Sequence, residues 1–234
     1  IARVSGLTFE QVISRLHAAG LDSFAGAGAE ILTERPRNVI APLKETGAVW
    51  LEVMETAHGL GVESTATFMM GTGETNAERI EHLRLIRDVQ DRTGGFRSFI
   101  PWTYQPENNH LHGRTMATPL EYLRLLAVAR LFFDNIAHLQ VSQLTLGKEV
   151  GQLGLHYGAD DLGSVMLEEN VVSSAGARHH WNLTELIHLI RTADRVPAQR
   201  DTLYNHLRVH WTPADDPSPD PRIHSHVAST APAF

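Results

Sequence analysis

The sequence has no cysteine, so it offers no disulfide, no thiolate nucleophile and no thiolate ligand for a metal. No apolar run approaches the roughly 18 to 20 residues of a membrane span and no signal peptide opens the chain, so a cytoplasmic protein without membrane contact is expected. Positive charge is scarce. Lys and Arg number 20 against 27 Asp and Glu, a formal charge of -7, and no basic stripe occurs. That balance argues against non-specific nucleic-acid binding, and no nucleic-acid partner is expected. There is no phosphate-binding Gly-x4-Gly-Lys loop and no Gly-x-Ser-x-Gly nucleophile elbow. Nor does the chain begin with Met; Ile1 stands directly before a helical pattern, and a piece of a longer protein is expected.

What is present is ordinary globular material: 234 residues, 42% of them hydrophobic, enough to bury a core without staples. The most informative stretch runs from Ala66 to Thr75, where an apolar run breaks into a glycine turn. Thr75 and Glu78 then have the spacing of a capping box, so strand, tight loop and helix start follow one another. The same unit recurs. Thr8 to Gln11 opens a first helix, and Leu21 to Ala29 reads as a strand entering a glycine loop that ends at Glu30. Thr46 leads a helix bearing Val49, Trp50, Val53, Met54 and Ala57 on one face. Strand Ser64–Met70 is followed by helix Asn76–Arg92, with Ile80, Leu83, Leu85 and Ile86 expected inside. A third strand is expected over Phe96–Pro101, then a polar loop over Trp102–Thr115.

Thr118, Pro119 and Glu121 begin a helix that carries Leu123, Leu126, Ala127 and Leu131 on its buried side. Strands are then expected at His138–Leu144 and Leu162–Leu167, with helices at Lys148–Leu155 and Asn182–Ala193. Residues 1–208 are thus expected to form one domain. From 209 to 234 the Pro- and Asp-rich composition predicts a disordered tail. About five strand–helix units mean a parallel sheet, either open or the later part of a barrel.

Parallel α/β folds bind ligands at the C-terminal ends of their strands. Those ends carry Gly26 to Glu30, Gly71 to Glu74, Pro101 to Gln105, Gln140 to Gln143 and Glu168 to Asn170. A rim of acids, amides and glycines suits a hydroxylated ligand better than a polyphosphate. Each residue also has a plain structural role open to it. Glu30 either caps the next helix or meets a ligand, while Glu74 is expected to hold its own loop through backbone N–H groups. Glu168 and Glu169 point opposite ways in an extended chain, so at most one faces the site. Trp102 and Tyr104 suit loop packing as well as stacking. The 14 histidines include His206 and His210 at helical spacing, but no third ligand lies at a suitable interval, and no metal site is expected.

Phe68 to Thr75 resembles the adenine-side motif of radical S-adenosylmethionine enzymes, with Thr67 where that group often has glycine. Longer matches are more specific: Gly20 to Ser23, Gly26 to Leu32, Phe99 to Trp102, Gln105 to Asn108, Ala127 to Phe132, Met166 to Val171 and Val196 to Tyr204. Over about Leu7 to Asn205 the chain resembles the dehypoxanthine futalosine cyclase family. The resemblance implies the later part of a (β/α)8 barrel of the TIM type. It also implies S-adenosyl-L-methionine and a [4Fe-4S] cluster as cofactors, though the three cluster cysteines of the family are absent here. The activity implied is cyclisation of dehypoxanthine futalosine in menaquinone biosynthesis, with a flavodoxin- or ferredoxin-type reductant as partner.

Carried over, Glu30 contacts S-adenosylmethionine, and Met69, Met70 and Gly71 offer backbone groups to adenine. From their placement at strand ends, Trp102, Gln140, Ser142 and Glu168 are expected to line the substrate end, with Glu168 as the catalytic proton acceptor. Without cluster ligands the chain by itself is expected to start no radical chemistry. The open edges of a partial barrel also favour self-association. Two alternatives stand: an enzyme like aminofutalosine synthase or the tyrosine-using subunit of F420 synthase, and a cluster-less barrel that only binds a nucleoside or a partner.

Overall fold

Capping chemistry sets where the helices of this protein start. In the computed structural model, which describes residues 1–109, 111, 114, 116–165, 171–176 and 181–217, Thr8, Thr75, Thr118 and Asn182 each accept a hydrogen bond from the backbone N–H three positions on. The Gln or Glu at that third position bonds back to the cap in all four. The elements run α1 (Ala2–Ser5), α2 (Phe9–Ala18), β1 (Ser23–Phe24), α3 (Glu34–Ile40), α4 (Gly47–Gly59) and β2 (Glu63–Met70). There follow α5 (Asn76–Thr93), β3 (Phe96–Thr103), α6 (Pro119–Phe132), β4 (His138–Leu139), α7 (Gln143–Leu146), α8 (Lys148–Gly154) and α9 (Val171–Ser174). The last are α10 (Leu183–Thr192), β5 (Ala198–Arg200) and β6 (His206–Val209), before a short 3-10 turn at Pro213–Asp215.

The chain forms two compact units. The first, residues 1–163 with 169–179, holds a four-stranded sheet in the order β1-β2-β3-β4, every pairing parallel. A further parallel bridge joins Gln140 to Asp161. Strands in chain order, joined by helices that pack on one another in the same order, are the arrangement of consecutive barrel units. The α/β class and the partial-barrel expectation therefore hold.

Alternation along β2 sorts its residues onto two faces. Phe68 stacks on His82 of α5 with ring centroids 4.6 Å apart, so Ala66, Phe68 and Met70 face the helices and are fully buried. Thr65, Thr67 and Met69 point to the other face. The core between sheet and helices continues through Leu83, Ile86, Phe99, Tyr122 and Leu126.

Several boundaries differ from expectation. On α5 the buried stripe is His82, Leu83, Ile86, Val89 and Gln90, which leaves Ile80 44% exposed and Leu85 half-buried on its flanks. On α6 the stripe runs Tyr122, Leu123, Leu125, Leu126 and Ala129, and Leu131 points to solvent. β3 extends through Thr103. β4 stops at Leu139, because the buried Tyr122 hydroxyl donates to the Pro101 carbonyl and accepts from Ser142 N–H, replacing the next ladder bonds. Of the strand expected over Leu162–Leu167, residues 166–167 lie outside the described residues and 162–165 form no strand, the nearest pairing being the bridge at Asp161. There the Asp161 carboxylate accepts Gly163 N–H at 2.7 Å and Gly163 takes a φ of 76°, turning the chain out of extension.

The second unit, residues 164–168 with 180–234, contains α10 and the antiparallel pair of β5 and β6. Its Arg191 makes a bidentate pair with Asp216 at 2.8 and 2.7 Å and donates to the His210 and Thr212 carbonyls. Over residues 209–217 of the segment expected to be a disordered tail, Arg191 supplies interactions that a Pro- and Asp-rich composition lacks on its own. Residues 218–234 lie outside the described residues. Among the described residues no helix is long and apolar enough to cross a membrane.

Candidate functional site

The segment after β1 crosses the face of the sheet opposite the helices. Thr65 Oγ1 accepts Gly26 N–H at 2.8 Å, and Thr67 Oγ1 donates to the Gly26 carbonyl at 2.6 Å. Only glycine fits there, since a Cβ on residue 26 would stand 2.4 Å from the Thr65 carbonyl oxygen. Beyond it every carbonyl to Ile31 is tethered. Trp50 Nε1 donates to Ala27 O at 3.2 Å, and Arg37 donates to Gly28, Ala29 and Ile31. Met69 N–H donates to Glu30 O at 2.7 Å. Leu32 N–H finishes the segment on Nδ1 of the buried His82. These tethers hold Glu30 at a φ of 47°, a left-handed conformation uncommon for a residue with a Cβ.

The carboxylate so presented pairs with Lys44 Nζ at 2.5 Å, and both line a cavity of about 620 Å³ at the C-terminal end of the sheet. Met69 and Trp102, adjacent in the β2–β3 register, contribute to its wall with Tyr104 and Leu111. Pro42 and Leu43, from the connection between α3 and α4, form another side. Asn109 orders the loop beside it, accepting from the Tyr104 hydroxyl and Leu111 N–H and donating to the Gln105 and Glu107 carbonyls. The cavity is apolar with a charged mouth, the usual character of a small-molecule site.

The turn after β2 is built differently. Glu74 accepts Gly71 N–H at 2.9 Å and Thr72 N–H at 2.8 Å, and pairs with Arg79. Arg114 and Arg35 donate to the Thr72 and Gly73 carbonyls, and Arg35 also makes a bidentate pair with Glu78 at 2.6 Å. That arginine, with the Thr75 N–H, holds the Glu78 carboxyl down at about 2. The loop-holding role expected of Glu74 is what its contacts show.

Of the residues singled out in the sequence, the cavity brings together Glu30, Met69, Trp102, Tyr104 and Gln105. Met70 faces the helices with its side chain fully buried, and its carbonyl accepts Tyr104 N–H. Gly71 has its N–H occupied by Glu74. Gln140 sits against Gly163, and Ser142 receives the Thr145 hydroxyl; neither lines the cavity. Glu168 lies outside the described residues. Among the described residues no group of three His, Asp or Glu gathers as a metal ion requires.

Lys44 and Arg37 were not anticipated. Lys44 follows Pro42 in a connection without a motif. Arg37 looks like a surface residue of a short helix, yet it is 3% exposed, and burial lowers its pKa against the opposing pull of Glu30.

Residues 93–212 match the family model described as CofH/MqnC C-terminal region. The chain is 72% identical over 231 residues to cyclic dehypoxanthine futalosine synthase of Streptomyces coelicolor, covering 99% of this chain and 58% of that protein. To the synthase of the same name from Halalkalibacterium halodurans it is 47% identical over 208 residues, 89% of this chain and 56% of that protein. A Methanococcoides burtonii protein, 5-amino-6-(D-ribitylamino)uracil–L-tyrosine 4-hydroxyphenyl transferase, is 41% identical over 216 residues, 88% of this chain and 61% of that protein. The chain thus spans about three fifths of the length of the curated relatives it matches.

Proposed function

The chain belongs to the CofH/MqnC family, whose C-terminal region it matches, and from that premise we propose that it is part of a radical S-adenosylmethionine enzyme that cyclises dehypoxanthine futalosine in menaquinone biosynthesis. The observation that carries this reading is the identity of 72% over 99% of the chain to a protein named for that product. The fall to 41% against the tyrosine transferase sets that second activity behind the first.

The residues present fit S-adenosylmethionine. A carboxylate held rigidly at the mouth of an apolar cavity accepts two hydrogen bonds, as a vicinal diol offers. When bound and reduced, that cofactor supplies an alkyl radical able to abstract hydrogen from a ribose carbon. Glu30 takes the ribose hydroxyls of S-adenosylmethionine, exchanging Lys44 for them or sharing them with it. Met69, Met70 and Gly71 present their backbone to adenine. Trp102, with Gln140 and Ser142, borders the nucleoside substrate, and Glu168 accepts the proton released when the cyclised substrate radical is re-oxidised, its electron leaving to the flavodoxin- or ferredoxin-type partner.

The residues present do not fit the [4Fe-4S] cluster, because the chain has no thiolate to offer it. No step is therefore assigned to the cluster on these residues. A flavodoxin- or ferredoxin-type protein supplies the electron. Anaerobic incubation of the whole protein with dehypoxanthine futalosine, S-adenosylmethionine and reductant should give the cyclic product. Turnover only with tyrosine and the aminouracil, and none with the futalosine derivative, would reject the assignment.

A further inference from the structure

Arg37 presents a buried charge with an unusual set of partners. Its guanidinium donates to the carbonyls of Gly28, Ala29, Ile31 and Glu45, and none of these hydrogen bonds goes to a carboxylate. Taking a guanidinium out of water costs several kcal/mol unless its surroundings compensate. A Leu or Met on α3 would fill the space without that cost, so packing alone does not account for an arginine here. What the arginine provides is geometry. Three of its carbonyl partners flank Glu30 in the chain, two before it and one after. The fourth, Glu45 O at 2.8 Å, adjoins Lys44, the ion-pair partner of Glu30. One planar fork therefore fixes both members of the pair at the cavity mouth. Left-handed backbone at a residue with a Cβ persists only where the surroundings over-determine it, and Arg37 is the largest part of that determination.

We propose that Arg37 is a positioning residue that aims the Glu30 carboxylate and so sets the selectivity of this site for a vicinal diol. The proposal rests on the reading of Glu30 as the contact for the ribose hydroxyls of S-adenosylmethionine. Lysine would keep the charge but, as a single point donor, could not bridge carbonyls on both sides of Glu30.

The test compares S-adenosylhomocysteine with its 2′,3′-dideoxyribosyl analogue by calorimetric binding to the whole protein, loaded with its cluster and free of S-adenosylmethionine. Wild type should prefer the diol by about tenfold or more, the effect of charge-assisted hydrogen bonds to one carboxylate. Glu30→Gln should lose most of that preference. Arg37→Lys should lower the ratio about tenfold, at the small end of the effect of removing an outer supporting partner, while leaving affinity for the dideoxy analogue unchanged. The double variant should be no worse than Glu30→Gln alone, because both changes remove one interaction.

An Arg37→Lys protein that binds both compounds more weakly by the same factor, with the ratio intact, would show a merely structural role and overturn the proposal. A wild type that does not distinguish the two compounds would instead sink the reading of Glu30, and the proposal with it. Should Arg37→Lys not fold, Trp50→Phe carries the test. It removes only the tether on Ala27 O and keeps a ring against Phe96. The ratio should then fall about two- to tenfold, the worth of one net hydrogen bond, and an unchanged ratio would overturn the proposal.

Discussion

Glu30 and Glu74 follow paired parallel strands, and what separates their roles is where the nearest donors lie. The turn after β2 directs the N–H groups of Gly71 and Thr72 at residue 74, so that carboxylate is satisfied within its own loop and by Arg79. Around Glu30 the backbone presents carbonyls tethered from elsewhere, and its carboxylate is left to Lys44 and the cavity. Glu74→Gln should therefore act on stability: the side chain is fully buried, and its loss of charge leaves Arg79 and one amide short of a partner. A decrease of about 2 to 3 kcal/mol in urea unfolding is expected. An unchanged midpoint would show that the turn does not depend on the carboxylate. The role of Glu74 was legible in the sequence because its partners lie within five residues. That of Arg37 was not, because its partners lie across a glycine loop that no local motif connects to α3.

At the scale of elements, the helix starts were the most legible features, since a capping box is complete within four residues. The ends of the strands were least so. β4 reads as a seven-residue alternation from His138 to Leu144, yet its register with β3 stops at Leu139, because Tyr122 reaches from α6 and takes up the carbonyl and amide that would continue that ladder. α3 went unseen because it is short, carries Pro36 in its first turn and has no side-chain cap. Glycines distinguish the junctions in the same way. Gly61 and Gly71 have φ of 78° and 90°, but a Cβ at 61 meets nothing within 4 Å whereas one at 71 would stand 2.6 Å from Ala117 N. Gly61→Ala should cost about 1 to 2 kcal/mol, the left-handed penalty alone. Gly71→Ala should cost about 2 to 4 kcal/mol, since overpacking against backbone adds to that penalty. Equal losses of thermal stability would mean that the β2 turn can move away from α6.

For the molecule as a whole, the buried histidines set the direction in which pH acts. His82 is fully buried, and its Nδ1 accepts Leu32 N–H, so the ring is neutral with its proton on Nε2; burial pushes its pKa down to about 3. His58, bonded to Ser64 and Thr93, is pushed down by burial to about 4. Unfolded, both return to 6.5. Between 6.5 and those folded values the unfolded chain binds more protons than the native one, so stability is complete above 6.5 and falls as the solution is acidified. Where the difference amounts to one proton, His82 alone contributes about 1.4 kcal/mol per pH unit. Glu78 has the opposite charge but the same consequence at lower pH. Its stabilisation is present above 4.5 and is lost as pH falls towards 2, so the interval from 6 to 5 belongs to the histidines. Urea unfolding across that interval should show a decline that His82→Asn, neutral and with an acceptor for Leu32 N–H, makes shallower even as it lowers the plateau. If the slope is as steep in the variant as in wild type, the proton uptake lies elsewhere, and His82 does not link the Gly26–Leu32 segment to the stability of the sheet beneath it.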